Sequence, residues 1–268
     1  MSLIRYDNCI CDRIDKTLLN KDKFTFSVLI KILQKECTLT ITDGKRLIIC
    51  FSNHPFPVWV WLPDDATKEE MEIAYQEIKN SFGFDSDFKF NTKYFIADYF
   101  INRAKSDGFS LSTVKSLKSY MCDSLMPERV VDGHLKIAEE CDIDLLVEFS
   151  TIFHKEINSD IESEEVYRRR VKEKVEEQSF FLWIDAQGNK VACCSYSDYE
   201  NYSSVGSVYT PPQYRRKGYA YAIVREVTKK ILARKRIPVL YTDADYAASN
   251  SCYTKIGYEL KGELCTIK

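Results

Sequence analysis

The sequence predicts an α/β (α+β) protein with a mixed, mostly antiparallel sheet flanked by helices. The 268 residues are 45% hydrophobic, which is enough for one large domain or two of ordinary size. Apolar residues recur at helical spacing in some segments and form short runs bounded by turns in others. The order helix, hairpin, strand, helix, strand, helix occurs twice, which predicts a duplicated fold with domains at residues 1–126 and 127–268. A chance repetition of this order, or a different α/β arrangement in the first half, is the alternative.

The elements of the first half follow that order. A helix is predicted over residues 24–35, followed by "CTLTITDGKRLIICFS", in which Asp43-Gly44 is typical of a two-residue hairpin turn. The strand "PVWVWL" comes next, and then a helix with acidic residues at its start in "PDDATKEE". A strand at "FKF" and a helix over "TKYFIADYFINRAK" complete the half.

The second half begins with two predicted helices, of which the second is capped by Ser163. Helical spacing in the first is shown by Leu145, Leu146, Phe149, Ile152 and Phe153. The strands "FFLWID" and "KVACCSYS" form a hairpin around "AQGN", and a third strand covers residues 205–210. A helix follows Gly218, and then come a strand at "VLYTD", a short helix over "YAASNSCYTKI" and a last strand region, "YELKGELCTI".

Charge and cysteine content limit the classes of partner. The 38 Lys and Arg against 40 Asp and Glu give a net charge of -2, so neither a nucleic acid nor a membrane is predicted as a partner. No apolar leader or membrane-spanning run is visible, and a cytoplasmic location is the default expectation. The ten cysteines and three histidines lack metal-ligand spacing, so we predict no metal site. Cys193 and Cys194 should face opposite sides of a strand. Nothing indicates the oligomeric state.

The stretch "VYTPPQYRRKGYAYAIV" places three cations, Arg215, Arg216 and Lys217, directly before Gly218 at a helix start. Positive charge is disfavoured there by the helix macrodipole unless an anion is bound. Backbone N–H groups at a helix start bind anions, glycine permits their close approach, and the small Ala220 keeps the next turn clear. These residues therefore predict a pyrophosphate site. The alternative is a solvated basic turn at an ordinary helix.

This stretch resembles the signature of the GNAT superfamily of acyl-CoA-dependent N-acetyltransferases. The signature is Arg or Gln, two residues, Gly, one residue, then Gly or Ala, and Arg215, Gly218 and Ala220 match it. Downstream, "SNSCYTKIGYE" resembles the family's later motif, in which Asn250 precedes Tyr253 and a Gly-aromatic pair ends the helix. The resemblance covers about residues 141–268.

The resemblance implies acetyl-CoA as cosubstrate and direct attack by an amine on its thioester. The pantetheine arm would bond to the strand at residues 208–210, N–H groups of residues 216–220 would hold the pyrophosphate, and an N–H near Tyr209 would stabilise the oxyanion. Asn250 would contact the cofactor, and a simple helix cap is the alternative for this residue. The implied cofactor-binding residues are Val208, Tyr209, Thr210, Arg215, Arg216, Lys217, Gly218, Tyr219, Ala220 and Asn250.

Tyr253 matches the family's usual general acid, since a phenol with a pKa of about 10 keeps its proton at neutral pH; simple packing of its helix is the alternative. No motif marks the general base. Asp243 and Asp245 are candidates, and we take Asp243 as catalytic with Tyr253. Asp198 and Glu200, expected in a loop after the hairpin, could recognise a cationic substrate. All four acids could equally be solvated loop residues.

The first half departs from the family at the matching loop, where Asp64 and Asp65 replace the cations and no glycine follows. Residues 1–126 are therefore predicted to be a degenerate GNAT-like domain without a cofactor loop. The predicted function is acetyl transfer to an amine-bearing small molecule or peptide. Two alternatives stay open: a non-catalytic acyl-CoA-binding sensor or interaction module, and a site for another phosphorylated ligand. The run at residues 168–170 is predicted to be a salt-bridged helix surface.

Overall fold

The structure is a computed structural model that describes residues 2–10, 14–85, 87–157 and 161–268. It divides into two compact units, Met1–Ser119 with Thr242–Asp245 and Lys261–Lys268, and Tyr120–Tyr241 with Tyr246–Leu260. Residues 120–126 thus pack in the second unit and residues 261–268 in the first. The domain boundary between residues 126 and 127 stays a prediction.

Among its described residues, the first unit contains six strands and three α-helices in the order of the chain, and the last described strand returns to it. They are β1 (Ile4–Ile10), α1 (Ser27–Ile32), β2 (Glu36–Thr42), β3 (Ile48–Phe51), β4 (Val58–Trp61), α2 (Lys68–Phe82), β5 (Phe90–Thr92), α3 (Tyr94–Ser106), β6 (Thr113–Met121) and β12 (Glu259–Ile267). Strands β1 to β4 pair antiparallel in sequence order. Strand β5 pairs parallel to β4 and antiparallel to β12.

Helix α2 begins where the sequence supplies a reciprocal cap. The Thr67 side chain accepts from the Glu70 N–H, and the Glu70 carboxylate accepts from the Thr67 N–H. Apolar residues of α2 and α3 recur at helical spacing and are buried in one core with the strands. They are Ala74, Tyr75, Ile78, Phe82, Ile96, Ala97, Phe100 and Ala104.

Two predictions for the first half are wrong in detail. The β2–β3 connection is not a two-residue turn, because β2 ends at Thr42 and β3 begins at Ile48. Asp43 organises the longer loop, since its Oδ1 accepts from the backbone N–H groups of residues 45, 46 and 47 at 3.0, 2.8 and 2.8 Å. The helix predicted over residues 24–35 is the shorter α1, and β1 and β6 were not predicted.

The second unit is a five-stranded sheet with helices on both faces. Its elements are β7 (His134–Ile137), α4 (Ile143–Glu156), α5 (Glu164–Glu176), β8 (Phe180–Ile184), β9 (Lys190–Tyr199), β10 (Tyr202–Tyr209), α6 (Tyr219–Ala233), β11 (Ile237–Asp243) and α7 (Ala247–Ile256). The strand order is β11-β10-β9-β8-β7. Only the β10–β11 pair among these described strands is parallel. The predicted mostly antiparallel, helix-flanked sheet is therefore confirmed.

Side chains of β9 show the two faces of this sheet. Cys194 packs in a core with α6 and α7, whereas Cys193 packs in a second core with α4 and α5. The two neighbouring thiols therefore point to opposite faces, as the sequence predicts for a strand.

The helix surface predicted at residues 168–170 carries ion pairs. Arg168 bonds to Asp144 at 2.6 Å and to Glu164 at 3.0 Å, and Arg170 pairs with Glu162. Within the described ranges, no helix has both the length and the apolar character needed to cross a membrane.

Candidate active site

Helix α6 begins without a side-chain cap. Its N-cap residue is Gly218, which has φ of 90° and no side chain that could cap the helix. No acidic residue lies in the first turn. Arg216 is also left-handed, with φ of 64°, and Arg216, Lys217 and Gly218 are all exposed. The first N–H groups of α6 therefore point to a surface with two exposed cations beside it.

Two other helices, α2 and α5, are capped by their own side chains, whereas α1, α3, α4 and α7 have no side-chain cap. In α2 the Thr67–Glu70 capping box and the acidic Glu69 satisfy the helix start. In α5 the Ser163 side chain accepts from the Val166 N–H, and Glu164 follows in the first turn. Helix α6 has neither a side-chain cap nor a first-turn acid, and two exposed cations lie beside its start, so this helix start is suited to an anionic ligand.

Arg215 has a different role from its two neighbours. Its Nε donates to the Thr210 carbonyl at 2.8 Å, and its Nη2 donates to both Glu156 oxygens at 2.7 and 2.5 Å. The guanidinium also lies 5.8 Å from the centre of the Tyr209 ring. Arg215 thus ties the loop to β10 and to the end of α4, and Arg216 has no ion pair with any carboxylate in the described part of the chain.

Strand β10 pairs with β11 over only a short length. The parallel register covers Tyr202–Ser204 with Ile237–Val239. Pairing with β9 continues to Tyr209, with a bulge between Gly206 and Tyr209 and φ of 50° at Ser207. The backbone of residues 205–209 therefore leaves one edge of β10 without a strand partner in these registers, and an extended ligand could bond there.

The predicted cofactor residues next to this edge differ in exposure. Val208 and Thr210 are half-buried and Tyr209 is buried, where its ring packs 5.3 Å from that of Phe149. The Thr210 Oγ1 atom is buried and has no hydrogen-bond partner among the described residues. Such a hydroxyl is costly unless a ligand or water bonds to it.

At the start of α6, the backbone is packed closely. A Cβ on Gly218 would lie 3.1 Å from Cγ2 of Val131. Tyr219 is buried, and burial, together with the charge of Asp132, raises the pKa of its phenol. Ala220 is half-buried. Val131 was not predicted, because no motif marks the segment that contains it.

Tyr253 lies in the core of the second unit. It is 7% exposed, and its ring centre is 6.4 Å from that of Tyr120 and 6.0 Å from that of Tyr258. Burial raises the pKa of Tyr253 well above its ordinary value, with the neighbouring Cys252 and Cys194 acting in the same direction. The phenol therefore keeps its proton at neutral pH, which a general acid requires.

Asn250 lies inside α7 and does not cap it, because the N-cap residue is Tyr246. Its Oδ1 accepts from the Tyr120 hydroxyl at 2.9 Å, and its Nδ2 donates to the Tyr246 carbonyl at 2.9 Å. The amide is thus bonded within the protein at both ends. Tyr120 was missed by sequence reasoning, because it lies 130 residues away in a segment without a motif.

The candidate acids fall in different places. Asp243 belongs to the first unit, where its Oδ1 accepts from the Asp245 N–H at 2.9 Å; its role as base stays a prediction. Asp198 is not in a loop but in β9, because β9 extends to Tyr199. It bonds to Ser203 at 2.5 Å and pairs with Arg236 at 3.2 Å. Burial opposes ionisation of Asp198, but the hydrogen bonds from Ser203 and Arg234 and the charge of Arg236 outweigh it and lower its pKa.

One group of metal-ligand type side chains occurs in the described ranges, formed by Glu139, Cys141 and Asp142. Asp142 is buried and lies 2.8 Å from the Lys136 amine and 2.5 Å from the Lys190 amine. Two ammonium groups already balance this carboxylate, so the cluster is explained by ion pairing.

The observed features fit an acyl-CoA ligand. An uncapped helix start with two exposed cations suits a pyrophosphate. A strand edge without a partner suits the amides of a pantetheine arm, and the Thr210 hydroxyl offers a further polar contact.

Comparisons with known proteins agree with this assessment. Residues 177–267 match the family model described as FR47-like protein, while no curated protein sequence matches the chain. A GNAT-family acetyltransferase from Colwellia psychrerythraea is 12% identical with a TM-score of 0.61, covering 100% of this chain and 98% of its own. A GCN5-related N-acetyltransferase from Sphaerobacter thermophilus is 13% identical with a TM-score of 0.72, covering 99% and 95%.

The family match spans β8 to β12 and so includes both motifs. The structural neighbours establish the fold, and their coverage is consistent with two GNAT-like halves. The resemblance recognised in the sequence is therefore confirmed at the level of fold: the chain has the GNAT fold over nearly its whole length, and residues 177–267 match the FR47-like model.

Proposed function

We propose that this protein transfers the acetyl group of acetyl-CoA to a primary amine of a small molecule or peptide. The observation that carries the proposal is the start of α6, where Gly218 replaces a side-chain cap and Arg216 and Lys217 are exposed. The GNAT fold supports acyl transfer, and the two motifs lie in the part of the chain that matches the family model.

Each part of the cosubstrate would meet a different element. The β10 backbone at residues 208–210 would bond to the pantetheine amides, with the Thr210 hydroxyl as a further partner. The N–H groups at the start of α6, with Arg216 and Lys217, would hold the pyrophosphate. The backbone N–H near Tyr209 would donate to the oxygen on which negative charge develops as the amine attacks.

Two side chains would move protons. Tyr253 would protonate the leaving thiolate, because its raised pKa keeps the phenol protonated. Asp243 would accept the proton of the incoming ammonium group, so that a neutral amine attacks. Arg215 would position the loop before α6, because its guanidinium is bonded to Thr210 and Glu156.

Calorimetric titration of acetyl-CoA into the wild type and into Gly218→Glu tests the cofactor site. The new carboxylate should repel the pyrophosphate and weaken binding by about tenfold or more. Gly188→Glu is the matched control, since Gly188 has a similar φ of 84°, lies in the same unit and has open space around a new Cβ.

The proposal predicts that only the Gly218 variant loses affinity while both variants stay folded by circular dichroism. Equal binding by both variants, or no binding by the wild type, would contradict the proposed site. Release of CoA in the presence of a mixture of a diamine, an amino alcohol and an amino-acid amide then tests for the enzyme. Binding without release would instead favour an acyl-CoA-binding sensor.

A further inference from the structure

The segment Tyr120–Met126 runs along α7 and contacts both of its ends. At the C-terminal end, the Met126 N–H donates to the Ile256 carbonyl at 2.8 Å. Gly257 follows with φ of 120°, and a Cβ there would lie only 2.3 Å from the Ser124 carbonyl oxygen. The glycine that ends α7 is therefore required by the close approach of this segment.

At the N-terminal end, the segment reaches Asn250. The Tyr246 carbonyl can only accept a hydrogen bond, so the group of the Asn250 amide that faces it at 2.9 Å must be Nδ2. Oδ1 is then the atom that faces Tyr120, and the Tyr120 hydroxyl must donate to it at 2.9 Å. The orientation of the amide is thus fixed by its two partners.

Tyr120 also contacts the residue proposed as the general acid. Its ring centre lies 6.4 Å from that of Tyr253, with an angle of 52° between the ring planes. Asn250 and Tyr253 are three residues apart and face the same side of α7. A single side chain, 5% exposed, therefore touches both positions of the downstream motif.

We propose that Tyr120 is a positioning residue for Tyr253, and that Asn250 acts with Tyr120 to fix α7 instead of contacting the cofactor. This inference rests on the proposed function, in which Tyr253 protonates the leaving thiolate. An acid must lie within hydrogen-bond reach of the atom that it protonates. Loss of the Tyr120 hydrogen bond should therefore slow the chemical step and leave cofactor affinity unchanged.

The test compares full-length Tyr120→Phe, which keeps the ring and removes the hydroxyl, with Tyr167→Phe. Tyr167 is a matched control in the same unit, since it is 3% exposed and its hydroxyl lies 2.8 Å from Nδ1 of His154. With acetyl-CoA and the amine mixture, Tyr120→Phe should lower kcat by about tenfold and leave KM for acetyl-CoA within about twofold. Tyr167→Phe should change neither value by more than about twofold.

Combining Tyr120→Phe with Asn250→Ala separates the two roles of Asn250. If Tyr120 and Asn250 act together to fix α7, kcat of the double variant should be only slightly lower than kcat of either single variant. The second substitution then removes an interaction that the first has already broken. A rise of about tenfold in KM for acetyl-CoA in Asn250→Ala, with Tyr120→Phe unaffected, would overturn the proposal and make Asn250 a cofactor ligand.

Amide hydrogen exchange tests the positioning without any activity. Exchange at residues 250–256 should be at least about threefold faster in Tyr120→Phe than in Tyr167→Phe. Unchanged exchange together with an unchanged kcat would refute the inference. If the wild type releases no CoA, the proposed function fails on its own, and the exchange rates still decide whether Tyr120 fixes α7.

Discussion

Tyr253 gains its chemical character from burial. The residue is 7% exposed, and burial raises the pKa of its phenol well above the ordinary value. A residue whose pKa is raised stays protonated as the pH rises through the range in which a solvent-exposed tyrosine ionises. Tyr253 should therefore keep its proton at neutral pH and above, as a general acid requires.

Tyr253→Phe should lower kcat by about 100-fold, because the thiolate must then leave without a positioned acid. KM for acetyl-CoA should stay within about twofold. For the wild type we expect no fall in kcat due to Tyr253 below about pH 10, since its pKa is shifted upward from that value. Initial rates measured from pH 6 to 10 check both statements, and an alkaline limb centred below pH 9 that disappears in Tyr253→Phe would contradict them.

Substitution of Gly257 tests how closely the end of α7 packs against Ser124. A Cβ there would meet the Ser124 carbonyl oxygen at 2.3 Å, whereas a Cβ on Gly188 has no atom within 4 Å. Both glycines have positive φ, at 120° and 84°, so Gly188→Ala controls for backbone strain. We expect Gly257→Ala to lower the free energy of unfolding by about 2 kcal/mol more than Gly188→Ala. Urea unfolding measures the free energy of unfolding of both variants. Equal losses in Gly257→Ala and Gly188→Ala would show that α7 and the segment beside it separate easily.

The sequence predicted which side chains lie together when they are close along the chain, but not when their partners are far apart in the chain. The spacing of Asn250 and Tyr253 correctly placed them on one side of a helix, since both contact Tyr120. Tyr120 itself could not be predicted, because its pairing with Asn250 spans 130 residues and depends on how the strands are arranged. The Arg215–Glu156 pair was unpredictable for the same reason.

Among the elements, two helices that follow corresponding strands differ in how their first turns are neutralised. Helix α2 carries its own cap, and the acids before it pair with cations, Asp64 with Lys93 at 2.6 Å and Asp65 with Arg46 at 2.9 Å. Helix α6 has no cap and no acid in its first turn. The start of α6 can therefore accept a ligand anion, whereas the acids at the start of α2 would repel one.

Reversing the charge before α6 should weaken acetyl-CoA binding. We expect Arg216→Glu with Lys217→Glu to raise Kd by about tenfold to 100-fold, and to flatten the dependence of Kd on salt concentration. Lys229→Glu with Lys230→Glu, at exposed positions of the same helix, makes the same change in net charge away from the site. Calorimetry at two salt concentrations distinguishes them, and an equal effect of both double variants would indicate a general charge effect.

Elements with a clear apolar pattern were predicted, and strands with few buried residues were not. Helices α4 to α7 and strands β8 to β11 follow from apolar spacing and turn residues. Strand β6 has an exposed to half-buried pattern over most of its length, and β7 has four residues, none of them buried. Their existence depends on partners far away in the chain, which local patterns cannot supply.

For the molecule as a whole, the repeated order of elements predicted the fold class better than it predicted packing. The order helix, hairpin, strand, helix, strand, helix is present twice. The C-terminal residues 261–268 nevertheless pack in the first unit, where Cys265 and Ile267 enter its core. A strand that crosses between units leaves no local signal, because its apolar alternation is the same wherever it is buried.

Stability of the whole chain should fall steeply in acid. Hydrogen bonds from Lys79 and then Arg103 lower the pKa of Asp107 to about 2 from an ordinary value of 3.8, and hydrogen bonds from Arg46 and Tyr99 lower those of Glu70 and Glu72. A carboxyl whose folded-state pKa is depressed stabilises the protein above its unfolded pKa, and this contribution is lost as the pH falls through the folded pKa. The window for Asp107 therefore lies between about pH 4 and pH 2.

Thermal unfolding at pH 7, 5, 4 and 2.5 tests this expectation. Tm should change little from pH 7 to 5 and drop between pH 4 and 2.5, since the unfolded chain then binds more protons than the folded one. Asp107→Asn should lower Tm at pH 7 and make the drop smaller. Asp87→Asn is the control, because Asp87 is almost fully exposed and pairs with the exposed Lys268, so its loss should have little effect. A drop in Tm that is equally steep in Asp107→Asn would mean that other carboxylates dominate acid unfolding.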